Sequence, residues 1–96
     1  MDDSNNKDLG DAIDAYMLAL HIDDKYFETK IRESWEELFG KTIAKHTTDL
    51  HLKKGTLFVH LDSAPLKQEL SYNKDRMRSM LNENLNKAVV KEIALQ

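Results

Sequence analysis

The stretch DLHLKKGTLFVHLDSAP (residues 49–65) carries the strongest structural signal in the chain. Apolar and polar residues alternate on both sides of Lys54-Gly55, which is typical of two half-buried strands joined by a two-residue turn. Gly55 can adopt the positive φ that such a turn requires. Counting outward from the turn predicts five cross-strand pairs: Lys53 with Thr56, Leu52 with Leu57, His51 with Phe58, Leu50 with Val59, and Asp49 with His60.

This predicted hairpin sorts its side chains onto two faces. The apolar face holds Leu50, Leu52, Leu57, Val59 and Leu61. The opposite face holds Asp49, His51, Lys53, Thr56, Phe58, His60 and Asp62. A slip of one residue in one strand would mix the two sets, so the clean separation supports this register. We expect the apolar face to lie on the core and the polar face to meet solvent.

Two helices are predicted before the hairpin. The first spans Lys7 to Leu20, where apolar residues recur every three or four positions. A second helix, with Asp23 or Asp24 as its N-cap, ends near Gly40. Its core-facing residues are Phe27, Ile31, Trp35 and Leu38. Residues 41–47 extend this region by a further turn or two of helix, with Ile43 pointing inward.

The chain after the hairpin predicts a helix and a third strand. Ser63 suits an N-cap and Pro65 the first helical turn. One long helix then carries an apolar stripe, interrupted at Asn73, of Leu66, Leu70, Met77, Leu81 and Leu85. The stretch AVVKEIALQ (88–96) is rich in β-branched residues and predicts a strand with Val89, Ile93 and Leu95 on one face.

These elements predict the fold class. Two N-terminal helices followed by strand, strand, helix and strand form a two-layer α+β domain with a three-stranded sheet. The chain has 96 residues, which suits one domain over 1–96, and we expect residues 1–6 to be flexible.

Composition excludes several classes of function. The chain contains no cysteine, which rules out disulfides, thiolate nucleophiles and cysteine-bound zinc. The N-terminus MDDSNNKD lacks the basic start and apolar run of a signal peptide. No apolar stretch approaches the roughly 18 residues of a membrane-spanning helix. We expect a cytoplasmic protein that does not contact membranes.

Charge is divided unevenly along the chain. Residues 1–40 hold eleven acidic and four basic side chains, a net −7, whereas residues 41–96 hold ten basic and six acidic, a net +4. Basic residues with an exposed aromatic such as Phe58 are typical of nucleic-acid surfaces, although lysine-rich solvated surfaces are also common. The predicted phosphate contacts are Lys53 and Lys54 in the turn, and Lys67, Lys74, Arg76 and Arg78 in the long helix.

Catalytic and metal-binding patterns are weak. His51, His60 and Asp49 share one face of the hairpin, and this donor set suits zinc chemically. They lie on an open sheet face without a fourth protein ligand, so we interpret them as a surface group and predict no metal site. No serine lies in a Gly-x-Ser-x-Gly elbow, and the three glycines form no phosphate-binding loop. We expect no enzymatic activity and no cofactor.

The stretch SWEELFGKTIAKHTTDLHLKKGTLFVHLDSAPLKQEL (34–70) resembles the bacterial DciA-like family. The likeness rests on Trp35 followed by Gly40, on Ile43-Ala44 and His46-Thr47, on Gly55-x-Leu57-x-Val59, and on Ser63 leading to Glu69-Leu70. The resemblance implies a fold similar to KH domains and an accessory role in DNA replication. It also implies binding to the replicative DnaB-type helicase, help in loading it, and contact with DNA.

RNA-binding KH domains grip RNA with a Gly-x-x-Gly loop between helices, and this sequence has none, which argues against that mode. We therefore expect a non-enzymatic replication accessory protein that binds the helicase and contacts DNA. The alternative is a KH-like module that binds protein or RNA and has no helicase role.

Overall fold

The computed structural model describes the backbone of residues 9–96 and the side chains of residues 24–96. The helices are α1 (Leu9–Phe39), α2 (Lys41–His46), α3 (Ala64–Ser71) and α4 (Lys74–Leu85), and the strands are β1 (Thr47–Lys53), β2 (Thr56–Leu61) and β3 (Glu92–Leu95). Helices pack against the apolar face of a three-stranded sheet, so the predicted two-layer α+β class is confirmed.

The hairpin has the predicted register at all five pairs, from Asp49↔His60 to Lys53↔Thr56. Lys54 and Gly55 have φ values of 50° and 87°, which are the two positive φ angles of the favoured two-residue turn. The register shifts between Thr47 and Asp49, where a bulge ends the regular ladder. The alternation of side chains was therefore sufficient to predict both the pairing and the buried face.

The sheet has the order β1-β2-β3, with β2 in the centre. β3 runs parallel to β2, and Leu57 pairs with Ile93. β3 is shorter than predicted because Asn82 of α4 binds the backbone of the residues just before this strand. Its side chain accepts from the N–H groups of Val89 and Val90 at 3.1 and 2.8 Å, and donates to the Val90 carbonyl at 2.9 Å. Val89 consequently lies outside the strand.

The two helices predicted on either side of Asp23 and Asp24 are not separate; the break falls at Gly40, and the further turn or two of helix predicted over 41–47 forms α2. Residues Leu9–Phe39 form one continuous helix. The cap candidates did not break it because no glycine or proline lies there, and an aspartate inside a helix costs only about 0.7 kcal/mol. Gly40 has φ 95°, a conformation that ends α1 and starts α2. The stripe predicted between Leu9 and Leu20 lies outside the residues whose side chains are described.

The predicted long helix is instead two helices, α3 and α4. Ser63 caps α3 as predicted, since its Oγ accepts from the Leu66 N–H at 3.3 Å. The break falls at Tyr72 and Asn73, the position where the apolar stripe was interrupted. The Asn73 side-chain amide donates to the Glu69 carbonyl at 3.2 Å. Such a local side-chain bond competes with helix continuation, which explains the break.

The core lies between the sheet and the helices. Its buried members are Ile31, Trp35, Leu50, Leu52, Leu57, Val59, Leu70, Met77, Leu81, Val90 and Ile93. Trp35 is 3% exposed, and its Nε1–H donates to the Thr47 hydroxyl at 3.0 Å. That hydroxyl donates in turn to the Ile43 carbonyl at 2.6 Å, which joins α1, α2 and the start of β1. Within the described part of the chain, no helix is both long and apolar enough to cross a bilayer.

Candidate nucleic-acid interface

The hairpin turn brings three lysines together at one end of the domain. Lys53 ends β1 and Lys54 lies in the turn, and both side chains are exposed. Lys91, from the segment before β3, lies over the turn, because a Cβ built on Gly55 would be 3.3 Å from Lys91 Cδ. The Lys91 N–H donates to the Gly55 carbonyl at 2.7 Å. We name Lys53, Lys54 and Lys91 the turn cluster.

Lys91 was not among the predicted contacts. The parallel pairing of Thr56 with Glu92 places the residue before β3 beside the residue before β2. The proximity of Lys91 to Gly55 follows from that pairing. Assignment of β3 as a parallel neighbour of β2 is therefore enough to place Lys91 at the turn.

Further charged groups surround the turn cluster. Asp24 of α1 accepts from the Lys54 N–H at 3.1 Å. The Glu92 N–H donates to the Gly55 carbonyl at 3.1 Å, so Glu92 is also close to the turn. Among the described residues, the three lysines of the turn cluster therefore outnumber the neighbouring carboxylates of Asp24 and Glu92.

The other predicted cations lie on α3 and α4, and we name Lys67, Lys74, Arg76 and Arg78 the helix cluster. Lys74 is the first residue of α4, and Lys74 and Arg76 are exposed. Arg78 Nη2 lies 3.5 Å from Asp75 Oδ1, so part of its charge is offset. Among the described residues, neither Lys74 nor Arg76 forms an ion pair.

The two clusters lie apart. Asn73 and Arg76 line a groove with Phe39 and Ile43, just before the start of β1, whereas the turn lies at the other end of that strand. The six residues of β2 span roughly 20 Å at about 3.3 Å per residue. The six predicted cations therefore form two groups and not one patch.

A groove lies beside the helix cluster, between the end of α1, α2, α3 and α4. Its volume is about 420 Å³, and it is open to solvent. The lining residues are Phe39, Thr42, Ile43, Leu66, Glu69, Leu70, Asn73, Arg76, Met77 and Met80. Apolar side chains form most of the walls, and Arg76 and Glu69 supply its charged groups.

The polar face of the sheet carries fewer free groups than the sequence suggested. Phe58, the predicted stacking residue, is half-buried. His51 Nδ1 lies 3.2 Å from Glu28 Oε1, and His46 Nδ1 lies 2.8 Å from Asp62 Oδ1. Within the described residues, no group of three or more histidine, aspartate or glutamate side chains is placed to hold a metal ion. His51 joins β1 to α1, and His46 joins the end of α2 to the residue that follows β2.

Sequence analysis did not identify the polar group at the outer edge of β1. Glu28 of α1 is 9% exposed, and its Oε1 accepts from the Leu52 N–H at 2.9 Å. Arg32 donates to the Leu50 carbonyl and to Asp49 Oδ1, the latter at 3.0 Å. The hydrogen bond from Arg32, followed by that from the Leu50 N–H, holds the pKa of the Asp49 carboxyl below its ordinary value. This edge of the sheet is therefore occupied by α1.

The fold and the cationic groups indicate the class of protein to which this chain belongs. The helices lie on one face of a three-stranded mixed sheet, and this element order is compatible with a small KH-like domain. The domain carries the turn cluster and the helix cluster as two separate groups of cations. The family model described as "Dna[CI] antecedent, DciA" matches residues 8–95. The chain therefore belongs to the DciA family, as the resemblance indicated, and this family is associated with loading of the DnaB helicase in replication. No curated protein and no solved structure gives a significant match.

Proposed function

We propose that this protein is a non-enzymatic accessory factor of DNA replication in the cytoplasm, which binds a DnaB-type replicative helicase and contacts DNA. Membership of the DciA family, over residues 8–95, is the single observation that carries the proposal. The turn cluster and the helix cluster are the proposed DNA contacts. The two clusters support the proposed DNA contact because each brings together cations from more than one chain segment, on a protein whose net charge is −3.

The separation of the clusters bears on how DNA would lie. A nucleic acid that runs from the turn to the start of α4 would meet both clusters. Two acidic residues of α1, Glu33 and Glu37, line a depression with Asn84 and Leu85, away from both clusters. Phosphates would therefore be attracted to the two clusters and repelled from this part of α1.

Titration of single-stranded and duplex DNA at several salt concentrations tests the DNA contact. Each phosphate contact on a single strand lowers the slope of log K against log salt by about 0.7, so about seven contacts give a slope near −5. Absence of binding at low salt would overturn this part of the proposal.

Charge-neutral variants locate the contact. Replacing Lys53, Lys54 and Lys91 with glutamine removes the turn cluster, and we expect the slope to become less negative by about 2. Lys74→Gln with Arg76→Gln should make it less negative by about 1.4. Lys30→Gln is the matched control, because Lys30 lies beside Glu33 and Glu37 and its Nζ is 5.6 Å from the Tyr26 ring. An equal effect of the control would contradict the assigned surface.

A pull-down with purified replicative helicase, with and without DNA, tests the partner. We expect the helicase to capture the protein without DNA. Capture without any DNA affinity would support the alternative, a protein-interaction module, and binding of RNA without the helicase would support an RNA-binding module of the same fold.

A further inference from the structure

Tyr72 is the most exposed large hydrophobic side chain in the described part of the molecule. It is 77% exposed and lies at the junction between α3 and α4. Its backbone is well anchored, with φ −86° and ψ −6°, and its N–H donates to the Glu69 carbonyl at 3.3 Å. The junction therefore presents an aromatic ring to solvent from an ordered position.

The Tyr72 ring is held at its hydroxyl end. Its hydroxyl accepts from Gln68 Nε2 at 3.4 Å, a contact one helical turn away that restrains the side chain. Within the described residues, no aromatic ring or cation stacks on it. Tyr26, the other exposed tyrosine among the described side chains, differs because the Phe27 ring centre lies 5.1 Å away and Lys30 Nζ lies 5.6 Å from its own ring centre.

The charges around Tyr72 favour a polyanion. Residues 67–78 contain four basic and two acidic side chains, a net +2. One of those acids, Asp75, is paired with Arg78 at 3.5 Å. Lys74 and Arg76 follow Tyr72 by two and four residues and are exposed. An aromatic platform with cations beside it is the combination that binds single-stranded nucleic acid, where bases stack and phosphates pair with lysine or arginine.

From this juxtaposition we infer that Tyr72 is a stacking platform for an unpaired nucleobase, and that Lys74 and Arg76 hold the phosphates on either side of that base. The inference rests on the proposed DNA contact and adds a preference to it. In a duplex the base faces are stacked on one another and cannot reach the ring, so only single-stranded DNA, or a duplex with a single-stranded tail, gains this contact.

Stacking and phosphate pairing differ in their response to salt, which allows them to be separated. A phosphate contact releases counterions, and its loss changes the slope of log K against log salt. Stacking releases none, so its loss should shift the whole line to weaker binding without changing the slope. Tyr72→Ala and Lys74→Gln are therefore expected to give different salt profiles on the same oligonucleotide.

Fluorescence anisotropy with a labelled single-stranded oligothymidylate and a blunt duplex of equal length tests the inference. We expect Tyr72→Ala to weaken single-strand binding by about tenfold at every salt concentration and to leave duplex binding unchanged. Tyr72→Phe keeps the ring and should bind like the unaltered chain. Tyr26→Ala is the matched control and should change neither affinity. Thermal unfolding of each variant, followed by circular dichroism, checks that the fold is retained.

The possible failures are distinguishable. If the unaltered chain binds single strands with a steep salt dependence and Tyr72→Ala has no effect, the stacking role is wrong and the proposed DNA contact stands. If Tyr72→Ala weakens capture by the helicase and not DNA binding, Tyr72 belongs to a protein interface and the inference is overturned. If the unaltered chain binds neither probe at low salt, both the inference and the DNA contact are wrong.

Discussion

The Glu28 carboxylate accepts a hydrogen bond of 2.9 Å from the backbone N–H of Leu52, so a side chain of α1 occupies the free edge of β1. Arg32, one turn further along α1, donates to the Leu50 carbonyl on the same edge and lies 3.4 Å from Glu28 Oε2. Exposed strand edges are templates for pairing with other chains. Glu28 and Arg32 satisfy one donor and one acceptor on this edge, so they both stabilise the domain and protect it from association.

Glu28→Ala is expected to destabilise the domain by about 1–3 kcal/mol, because it leaves the Leu52 N–H without a partner. Glu28→Gln keeps an acceptor oxygen and should cost less. Glu36→Ala, an exposed site on the same helix, is the control and should change stability by about 0.5 kcal/mol or less. Urea unfolding followed by fluorescence of Trp35, which is 3% exposed, measures all three. Equal effects of Glu28→Ala and Glu36→Ala would show that the edge contact is not stabilising.

The ion pair between Asp49 and Arg32 predicts a pH-dependent contribution to stability. The hydrogen bond from Arg32, and then that from the Leu50 N–H, lowers the pKa of Asp49 in the folded chain below 3.8. A lowered folded pKa means that the contribution is present above the unfolded value and is lost as pH falls through the folded value. Asp49→Asn should therefore be less stable than the unaltered chain at neutral pH, and the two should converge below about pH 4.

Urea midpoints between about pH 7 and pH 2.5 check this prediction. In an Arg32→Gln background the effect of Asp49→Asn should be smaller, because the main cause of the lowered pKa has been removed. A stability difference between the unaltered chain and the Asp49→Asn variant that persists unchanged at low pH would contradict the assignment. The side chains of Asp49 and Arg32 are both about half exposed, so added salt should weaken the effect.

The parts of the fold that sequence analysis predicted are those encoded by neighbouring residues. Alternation over 49–62, with Gly55 in the turn, determined the hairpin register because only one register separates the two faces. The cap at Ser63 was predicted for the same reason, since its partner Leu66 is three residues away. Asn73 was recognised as a polar residue that interrupts an apolar stripe. That it would divide the predicted helix in two was not predicted.

The parts that sequence analysis missed depend on which distant elements come together. Glu28 and Leu52 are 24 residues apart, and their contact exists only because α1 packs along the edge of β1. Lys91 joins the turn cluster only because β3 is parallel to β2. The same limit applies to the candidate interface: six cations were named from charge alone, and only tertiary structure divides them into two separate groups.

Asn82 is expected to be the residue that attaches β3 to the helical layer. Its side chain makes three hydrogen bonds to the backbone of Val89 and Val90. Asn82→Ala leaves these groups unpaired and should cost about 2–3 kcal/mol. Amide hydrogen exchange of Glu92–Leu95 should accelerate more than that of β1. Asn84→Ala, on the exposed side of α4, is the control. Unchanged protection of β3 in Asn82→Ala would show that sheet pairing alone holds the strand.

The two glycines with positive φ offer a matched pair of substitutions. Gly40 has φ 95° with nothing within 4 Å of a built Cβ, whereas Gly55 has φ 87° with Lys91 Cδ at 3.3 Å. Alanine is strained at both positions, and at Gly40, where ψ is 166°, the cost is about 1–3 kcal/mol. Gly55→Ala must in addition displace Lys91, so its unfolding midpoint in urea should depend on the Lys91 side chain, whereas that of Gly40→Ala should not. Because Lys91→Ala removes the contact, it should reduce the cost of Gly55→Ala and leave that of Gly40→Ala unchanged. A double-mutant cycle measures this coupling, and a coupling energy of zero would mean that the Lys91 side chain does not rest on the turn in solution.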